Sequence, residues 1–226
     1  MSNAKNLAKY IDHTLLSATA VSSDIKKLCE EAVEYGFHSI CINPRWVSLA
    51  ADILERTPVK IATVVGFPLG ADLTEIKAAQ AKAAIFEGAD EIDMVADIAA
   101  ILEGDKHYLN SQLRTVLQQC RSVRPAVLLK VIIESAVLDD EQIKLACLVA
   151  RNVGVDFVKT STGMNPAGGA SIRAVKLIKQ WASGCGVKAA GGIKTLERAR
   201  EFIRAGATRL GTSSSVDIME QLKGEE

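Results

Sequence analysis

Six charged residues of this sequence fall inside short apolar stretches, where charge is costly: Asp12, Glu91, Asp93, Lys130, Lys159 and Lys188. Leaving one such charge buried and unpaired costs on the order of several kcal/mol. Their clustering therefore calls for either a structural ion-pair network or chemistry. Two lysines held close together do something specific. The charge on one disfavours the charge on the other, so one of them can give up its proton and attack a carbonyl as a free amine. A nearby carboxylate can shuttle protons. That combination is what an imine-forming site needs. On residue types and spacing alone the nucleophile stays open between Lys159 and Lys188.

A second chemistry is written in three turns rich in glycine and hydroxyl groups: Thr160-Ser161-Thr162-Gly163, Gly191-Gly192-Ile193 and Gly211-Thr212-Ser213-Ser214. Each ends an apolar stretch and precedes a segment of helical period. Backbone N–H groups there, with a helix N-terminus behind them, make an anion site. Neither G-x-x-x-x-G-K-[ST] nor G-x-G-x-x-G occurs, so the anion expected is a phosphorylated small molecule and not a nucleotide cofactor.

The elements that must position these groups are short strands alternating with longer helices. Strands are predicted at 11–16, 39–43, 60–66, 91–95, 127–133, 157–161, 186–190 and 209–212. Helical period is marked by Leu28, Ala32 and Tyr35, then by Ile76, Ala79, Ala83 and Phe86. It recurs at Leu109, Leu113, Val116 and Leu117, and at Ile143, Ala146, Cys147 and Ala150. Asp72, Asp139 and Thr195 stand where helix N-caps belong, and Gly36, Gly88, Gly154 and Gly206 where helices end. Eight such units with short connections favour one α/β domain over residues 1–226, a (β/α)8 TIM barrel with a short N-terminal helix; an open doubly wound sheet is the alternative. Strand residues alternate in direction, so Asp12 and Thr14, Glu91 and Asp93, Lys130 with Glu134 beyond it, Lys159 and Ser161, and Lys188 share the inward parity. Ile92 and Met94, Leu129 and Val131, Val158 and Thr160, and Val187 and Ala189 take the parity facing the helices. Asp93, Lys159 and Lys188 fall late in their strands, toward the C-terminal face where barrel enzymes keep their chemistry.

The bulk numbers bound the function. Lysine plus arginine and aspartate plus glutamate each total 27, so the net charge is zero, which argues against a nucleic-acid or anionic-lipid face. No apolar run approaches a membrane span, and the N-terminus has no secretory pattern. Ser2, Asn3 and Ala4 fit an expression-tag remnant. The five cysteines (Cys29, Cys41, Cys120, Cys147, Cys185) are odd in number and without C-x-x-C spacing, which reads as reduced thiols in a cytoplasmic protein. Cys41 reads as a small core residue before a reactive thiol. The three histidines are not paired at ligand spacing, so no metal is expected. His13 and His38 read as structural, and Trp46 and Trp181 as packing residues.

The motifs resemble the deoxyribose-phosphate aldolase family. Phe157-Val158-Lys159-Thr160-Ser161-Thr162-Gly163 is similar to its Schiff-base segment, Val187-Lys188-Ala189-Ala190-Gly191-Gly192-Ile193 to its second-lysine segment, and Glu91-Ile92-Asp93-Met94-Val95 to its catalytic aspartate segment. Ile11-Asp12-His13-Thr14-Leu15, Ile40-Cys41-Ile42-Asn43-Pro44 and Val64-Val65-Gly66-Phe67-Pro68-Leu69-Gly70 are similar as well, and the likeness runs in order from residue 11 to about residue 215.

The resemblance implies a class I aldolase that reversibly cleaves 2-deoxy-D-ribose 5-phosphate to glyceraldehyde 3-phosphate and acetaldehyde. It assigns Lys159 as the imine-forming lysine, with Lys188 holding down its proton affinity and Asp93 acting through water as acid and base. Asp12, Thr14, Cys41, Lys130 and Thr160 would bind the substrate. Gly163, Gly191, Gly192, Ser213 and Ser214 would hold its phosphate, and Gly211 would join the substrate-binding residues. No cofactor is implied, because the protonated imine is the electron sink. Two departures stand out. Some members use a tyrosine in the C-terminal tail, whereas tyrosine here occurs only at 10, 35 and 108. Met164 stands where some members carry a lysine. Another phosphosugar barrel lyase or isomerase would keep the phosphate turns without needing Lys159, and a non-catalytic barrel would need neither. Expected partners are small phosphosugars and aldehydes. A homodimer fits the apolar exterior of a barrel, with no sequence patch marking the interface.

Overall fold

Eight short parallel strands close on themselves in the computed structural model, which describes residues 3–225. Ser2 and Glu226 lie outside the described residues. The strands are β1 (Ile11–Leu15), β2 (Ser39–Ile42), β3 (Lys60–Val65), β4 (Glu91–Val95), β5 (Leu128–Ile132), β6 (Phe157–Lys159), β7 (Gly186–Ala190) and β8 (Arg209–Thr212), in that order around the barrel. The helices are α1 (Asn3–Ala8), α2 (Ser22–Tyr35), α3 (Val47–Leu54), α4 (Thr74–Phe86), α5 (Ile98–Glu103), α6 (Lys106–Arg121), α7 (Asp140–Val153), α8 (Ile172–Trp181), α9 (Leu196–Ala205) and α10 (Ser215–Lys223). A (β/α)8 barrel with a short N-terminal helix results. The sixth strand stops at Lys159, short of the predicted 161, although Thr160 N–H still bonds Lys188 O at 3.0 Å.

Two apolar layers follow from strand parity. Ile92, Met94, Leu129, Val131, Val158, Val187 and Ala189 point outward and pack with the helices in the main core. Inside the barrel, Cys41, Ala62 and Val64 form a small separate cluster beside the charged residues. Asp139 caps α7 through Gln142 N–H, Thr195 caps α9 through Arg198 N–H, and left-handed Gly154 and Gly206 end those helices. Trp46 and Trp181 pack, half-buried, against the main core.

Two helix readings need correction. Asp72 does not cap α4: the helix starts at Thr74, and Leu73 stands at its N-cap without a side-chain bond. The stripe Ile76, Ala79, Ala83 and Phe86 carries the helical period but faces solvent, with Phe86 88% exposed. The buried face of α4 is Lys77, Ala78, Ala81 and Ala84. Small side chains let this helix seat closely on the barrel, and the large apolar ones are left outside with Leu69 and Leu73.

Candidate active site

Inward parity brings charge from six of the eight strands into the barrel. Asp12, Glu91, Asp93, Lys130, Lys159, Lys188 and Arg209 are all buried there. Asp93 is the hub. Its Oδ1 accepts from Lys130 Nζ at 2.6 Å, and its Oδ2 accepts from both Lys159 Nζ at 2.8 Å and Lys188 Nζ at 2.7 Å. Lys188 also pairs with Asp12 Oδ2 at 2.5 Å. Lys130 pairs with Glu91 Oε2 at 2.6 Å. Arg209 bridges Asp12 Oδ1 at 2.7 Å and Glu91 Oε2 at 2.9 Å. Ser39 Oγ donates to Asp12 Oδ1 at 2.6 Å.

The count of these charges matters. Asp12, Glu91 and Asp93 supply three negative charges. Lys130, Lys188 and Arg209 supply three positive charges: Lys130 reaches all three carboxylates, and Lys188 and Arg209 two each. Lys159 is the fourth cation candidate, and among the described residues it pairs only with Asp93. The proton affinities follow. Burial pushes Lys159 down, and Lys188 adds to that, against the pull of Asp93. Burial opposes charge on Lys188 as well, but Asp12 and Asp93 outweigh it and hold that ammonium above its ordinary range. Lys130 is raised because Asp93 and Glu91 outweigh its burial. Burial alone would raise Asp93, yet Lys130, Lys159 and Lys188 bring it well below the carboxylate range. The arrangement thus contains one lysine biased toward the free amine among partners biased toward charge.

A cavity of about 390 Å³ opens above Lys159 at the C-terminal face. Thr14, Thr162, Gly163, Gly191, Gly192, Gly211 and Ser213 line it, with Met164 and Lys194 on the same wall. The turns after β6 and β7 touch backbone to backbone. A Cβ on Gly191 would lie 2.9 Å from Gly169 Cα and 3.1 Å from Gly163 Cα, and the φ of Gly191 is +90°. Behind the turn after β8 stands the N-terminus of α10, with Ser214 at its N-cap. Thr212 Oγ1 donates to Ile193 O at 2.6 Å and accepts from Ser214 N–H at 2.9 Å, tying this turn to the one after β7. N–H groups, helix ends and a lysine on one wall can hold an anion.

The other sequence candidates are placed as follows. Asp12 and Lys130 sit below the cavity in the charged cluster. Cys41 is buried beside them, and burial raises its thiol above the usual range. Ser214 is half-buried at the α10 cap. Thr160 does not reach the cavity wall: its outward parity turns the hydroxyl to Ala190, whose N–H it accepts at 3.1 Å. Gly211 has a second use, since a Cβ there would come within 3.1 Å of Lys188 Cε. Arg209 and Ser39 were missed, although both carry the inward parity of their strands. Lys194 was missed too; it follows Ile193 directly and brings a cation to the wall where Met164 stands. His38 does more than pack, with Nε2 3.2 Å from Glu91 Oε1.

Comparisons with known proteins agree in kind. Residues 6–220 match the DeoC/LacD family aldolase. A curated protein of Aciduliprofundum boonei named deoxyribose-phosphate aldolase is 50% identical over 222 residues, covering 98% of this chain and 99% of that one. One of the same name from Caldanaerobacter subterraneus is 47% identical over 219 residues, covering 96% and 94%. Among solved structures, that described as the unique tetrameric structure of deoxyribose phosphate aldolase from Aeropyrum pernix superposes with a TM-score of 0.91 at 33% identity, covering 99% of this chain and 94% of that one.

Proposed function

The chain belongs to the DeoC/LacD family of aldolases, and on that premise we propose that it reversibly cleaves 2-deoxy-D-ribose 5-phosphate to D-glyceraldehyde 3-phosphate and acetaldehyde through an imine on Lys159. The observation that carries the mechanism is the charge count: three carboxylates matched by three other cations leave Lys159 as the amine able to be neutral. The substrate follows from the anion-holding turns and from the relatives' activity.

In the forward direction the Lys159 amine adds to the C1 aldehyde of the open-chain sugar, and loss of water gives the imine. Its protonated nitrogen draws electrons from the C2–C3 bond. The C3 hydroxyl gives up its proton, the bond breaks, and glyceraldehyde 3-phosphate leaves. The two-carbon enamine on Lys159 is protonated and hydrolysed to acetaldehyde. Lys188 favours the neutral form of Lys159, and Asp93, with Lys188, moves protons through water. Thr14 and Thr162 contact the sugar. Gly163, Gly191, Gly192, Ser213 and Ser214, together with Lys194, hold the phosphate. Asp12 and Lys130 act indirectly by fixing the charged cluster.

Incubation with acetaldehyde, reduction with borohydride and peptide mapping test this reading. A two-carbon adduct on Lys159 is expected; active protein with Lys159 unmodified would sink the imine mechanism.

We place the protein in the cytoplasm, a reading supported by five free cysteines. Among the described residues no helix is long and apolar enough to cross a membrane. Self-association as a homodimer is supported by the exposed Leu73, Ile76 and Phe86 along α4. A Phe86→Lys variant should then sediment as a smaller species than the wild type, and identical sedimentation would contradict it.

A further inference from the structure

Lys77 is fully buried on the barrel side of α4, yet it is remote in sequence and role from the charged cluster. Its Nζ faces neutral acceptors: Gly70 O at 2.6 Å, Val95 O at 2.9 Å and Gln112 Oε1 at 3.2 Å. A lysine kept in such a place needs a reason, since a methionine would fill the space without desolvating a charge. The three acceptors belong to three different elements: the loop after β3, the last residue of β4, and α6.

The loop it grips is tightly seated. Gly66 N–H donates to Gln80 Oε1 at 2.8 Å, so a second α4 side chain holds the other end. A Cβ on Gly66 would press on Lys77 Cε at 2.9 Å, and one on Gly70 would collide with Ala96 O at 2.1 Å. Between these anchors stands Phe67, half-buried against Cys41, Ala62 and Val64. Leu16 packs on the same three residues and also lines the cavity above Lys159. Cys41 and Lys159 are near enough to affect each other's charge. Phe67 and Leu16 thus both cover the apolar cluster on the β2–β3 side of the barrel, with Leu16 at the cavity wall, while the anion-holding turns occupy the opposite side after β6, β7 and β8.

We propose that Lys77 is a positioning residue that clasps the Phe67 loop over the β2–β3 side of the site and so limits the length of the donor aldehyde joined to Lys159. The inference rests on the imine reading of the site. With the phosphate held after β7 and β8, the two donor carbons on Lys159 have the Cys41–Ala62–Val64 cluster and its Phe67–Leu16 cover as their apolar surroundings. A third carbon must displace that cover. One methylene in an apolar pocket changes selectivity by roughly 10- to 200-fold.

The test compares acetaldehyde and propanal as donors to glyceraldehyde 3-phosphate in wild type, Lys77→Met, Phe67→Ala and the double variant. Lys77→Met should raise the propanal-to-acetaldehyde ratio of kcat/KM about tenfold. Phe67→Ala should do the same, and the double variant should add little to either, because both release one wall. The KM for glyceraldehyde 3-phosphate should stay within about twofold. An unchanged donor ratio in folded Lys77→Met protein would overturn the proposal, as would single effects that multiply in the double variant. A purely structural weakening would lower both donors alike and would also overturn it. If Lys77→Met does not fold, Gln112→Met loosens the same clasp and is read by the same criteria. A wild type without the Lys159 adduct overturns the imine reading and this inference together; an adduct with an unchanged ratio overturns this inference alone.

Discussion

Replacing Lys188 with methionine should make Lys159 hold its proton to higher pH. Both ammonium groups sit on Asp93 Oδ2, at 2.8 and 2.7 Å, so their nitrogens are separated by no more than about 5.5 Å. At that separation and an effective dielectric constant near 20, two unit charges repel by about 3 kcal/mol. Removing that repulsion disfavours the free amine by about a hundredfold, since each 1.4 kcal/mol is roughly a factor of ten. Borohydride trapping of acetaldehyde isolates imine formation from later proton transfers. Its rate at neutral pH should fall about a hundredfold in Lys188→Met, with the rising limb of the pH profile displaced by roughly two pH units to the alkaline side. Lys188→Arg keeps the charge and should leave the limb in place. Circular dichroism must accompany the assay, because breaking a buried ion pair costs on the order of 3–5 kcal/mol. A folded Lys188→Met protein whose trapping profile superimposes on the wild type would refute the electrostatic reasoning.

Other outcomes follow from the same structure. Asp93→Asn removes the carboxylate that three lysines share, so the trapping limb should move toward acid while turnover collapses; an alkaline move would contradict the charge count. Gly191→Ala introduces a Cβ 2.9 Å from Gly169 Cα at positive φ. It should raise the KM for the phosphorylated sugar about tenfold or more while sparing unphosphorylated 2-deoxyribose, and equal losses on both would place the phosphate elsewhere. Burial lowers the Lys77 ammonium from 10.5 to about 8. The unfolded chain therefore binds more protons between about pH 8 and 10.5, so stability should rise with pH across that window. Urea melts of wild type and Lys77→Met should diverge across it, and a constant difference would argue against a buried, charged Lys77. Phe202→Ala should cost about 3–5 kcal/mol of stability with little change in kcat, since Phe202 is fully buried on α9 away from the cavity.

Much of this was legible because a barrel strand imposes a period of two. Asp12, Glu91, Asp93, Lys130, Lys159 and Lys188 announced themselves as charges at apolar-run positions of one parity, and the structure gathers them. The same rule extends to Arg209 and Ser39, which were overlooked because β8 and β2 are short and each offered a single polar inward residue. Parity also argues against Thr160 as a ligand, since it shares the outward direction of Val158. Which lysine is the neutral one was not legible. It depends on Lys188 touching two carboxylates and Lys159 touching one, a fact of three-dimensional register. Helix α4 misled for another reason. Its apolar period was read from large side chains, whereas close seating on the barrel selected Ala78, Ala81 and Ala84 and hid a charged Lys77 among them. The cap at Asp72 failed with it, because the chain runs on to Thr74 before turning helical.

The balanced core has a consequence for the bound state. When Lys159 condenses with an aldehyde and the imine takes up a proton, one positive charge enters an interior whose charges already cancel. Among the described residues Asp93 is the one carboxylate paired with Lys159; Asp12, Glu91 and Asp93 each already serve two or more cations, and the buried Glu134 turns to Thr162 instead. The surplus is relieved by the substrate itself, whose neighbouring carbon–carbon bond can send its electrons to the nitrogen. A fourth acid beside Lys159 would make the adduct comfortable and slow. The stoichiometry of the interior, more than the reach of any one side chain, keeps the adduct short of electrons until the bond gives way.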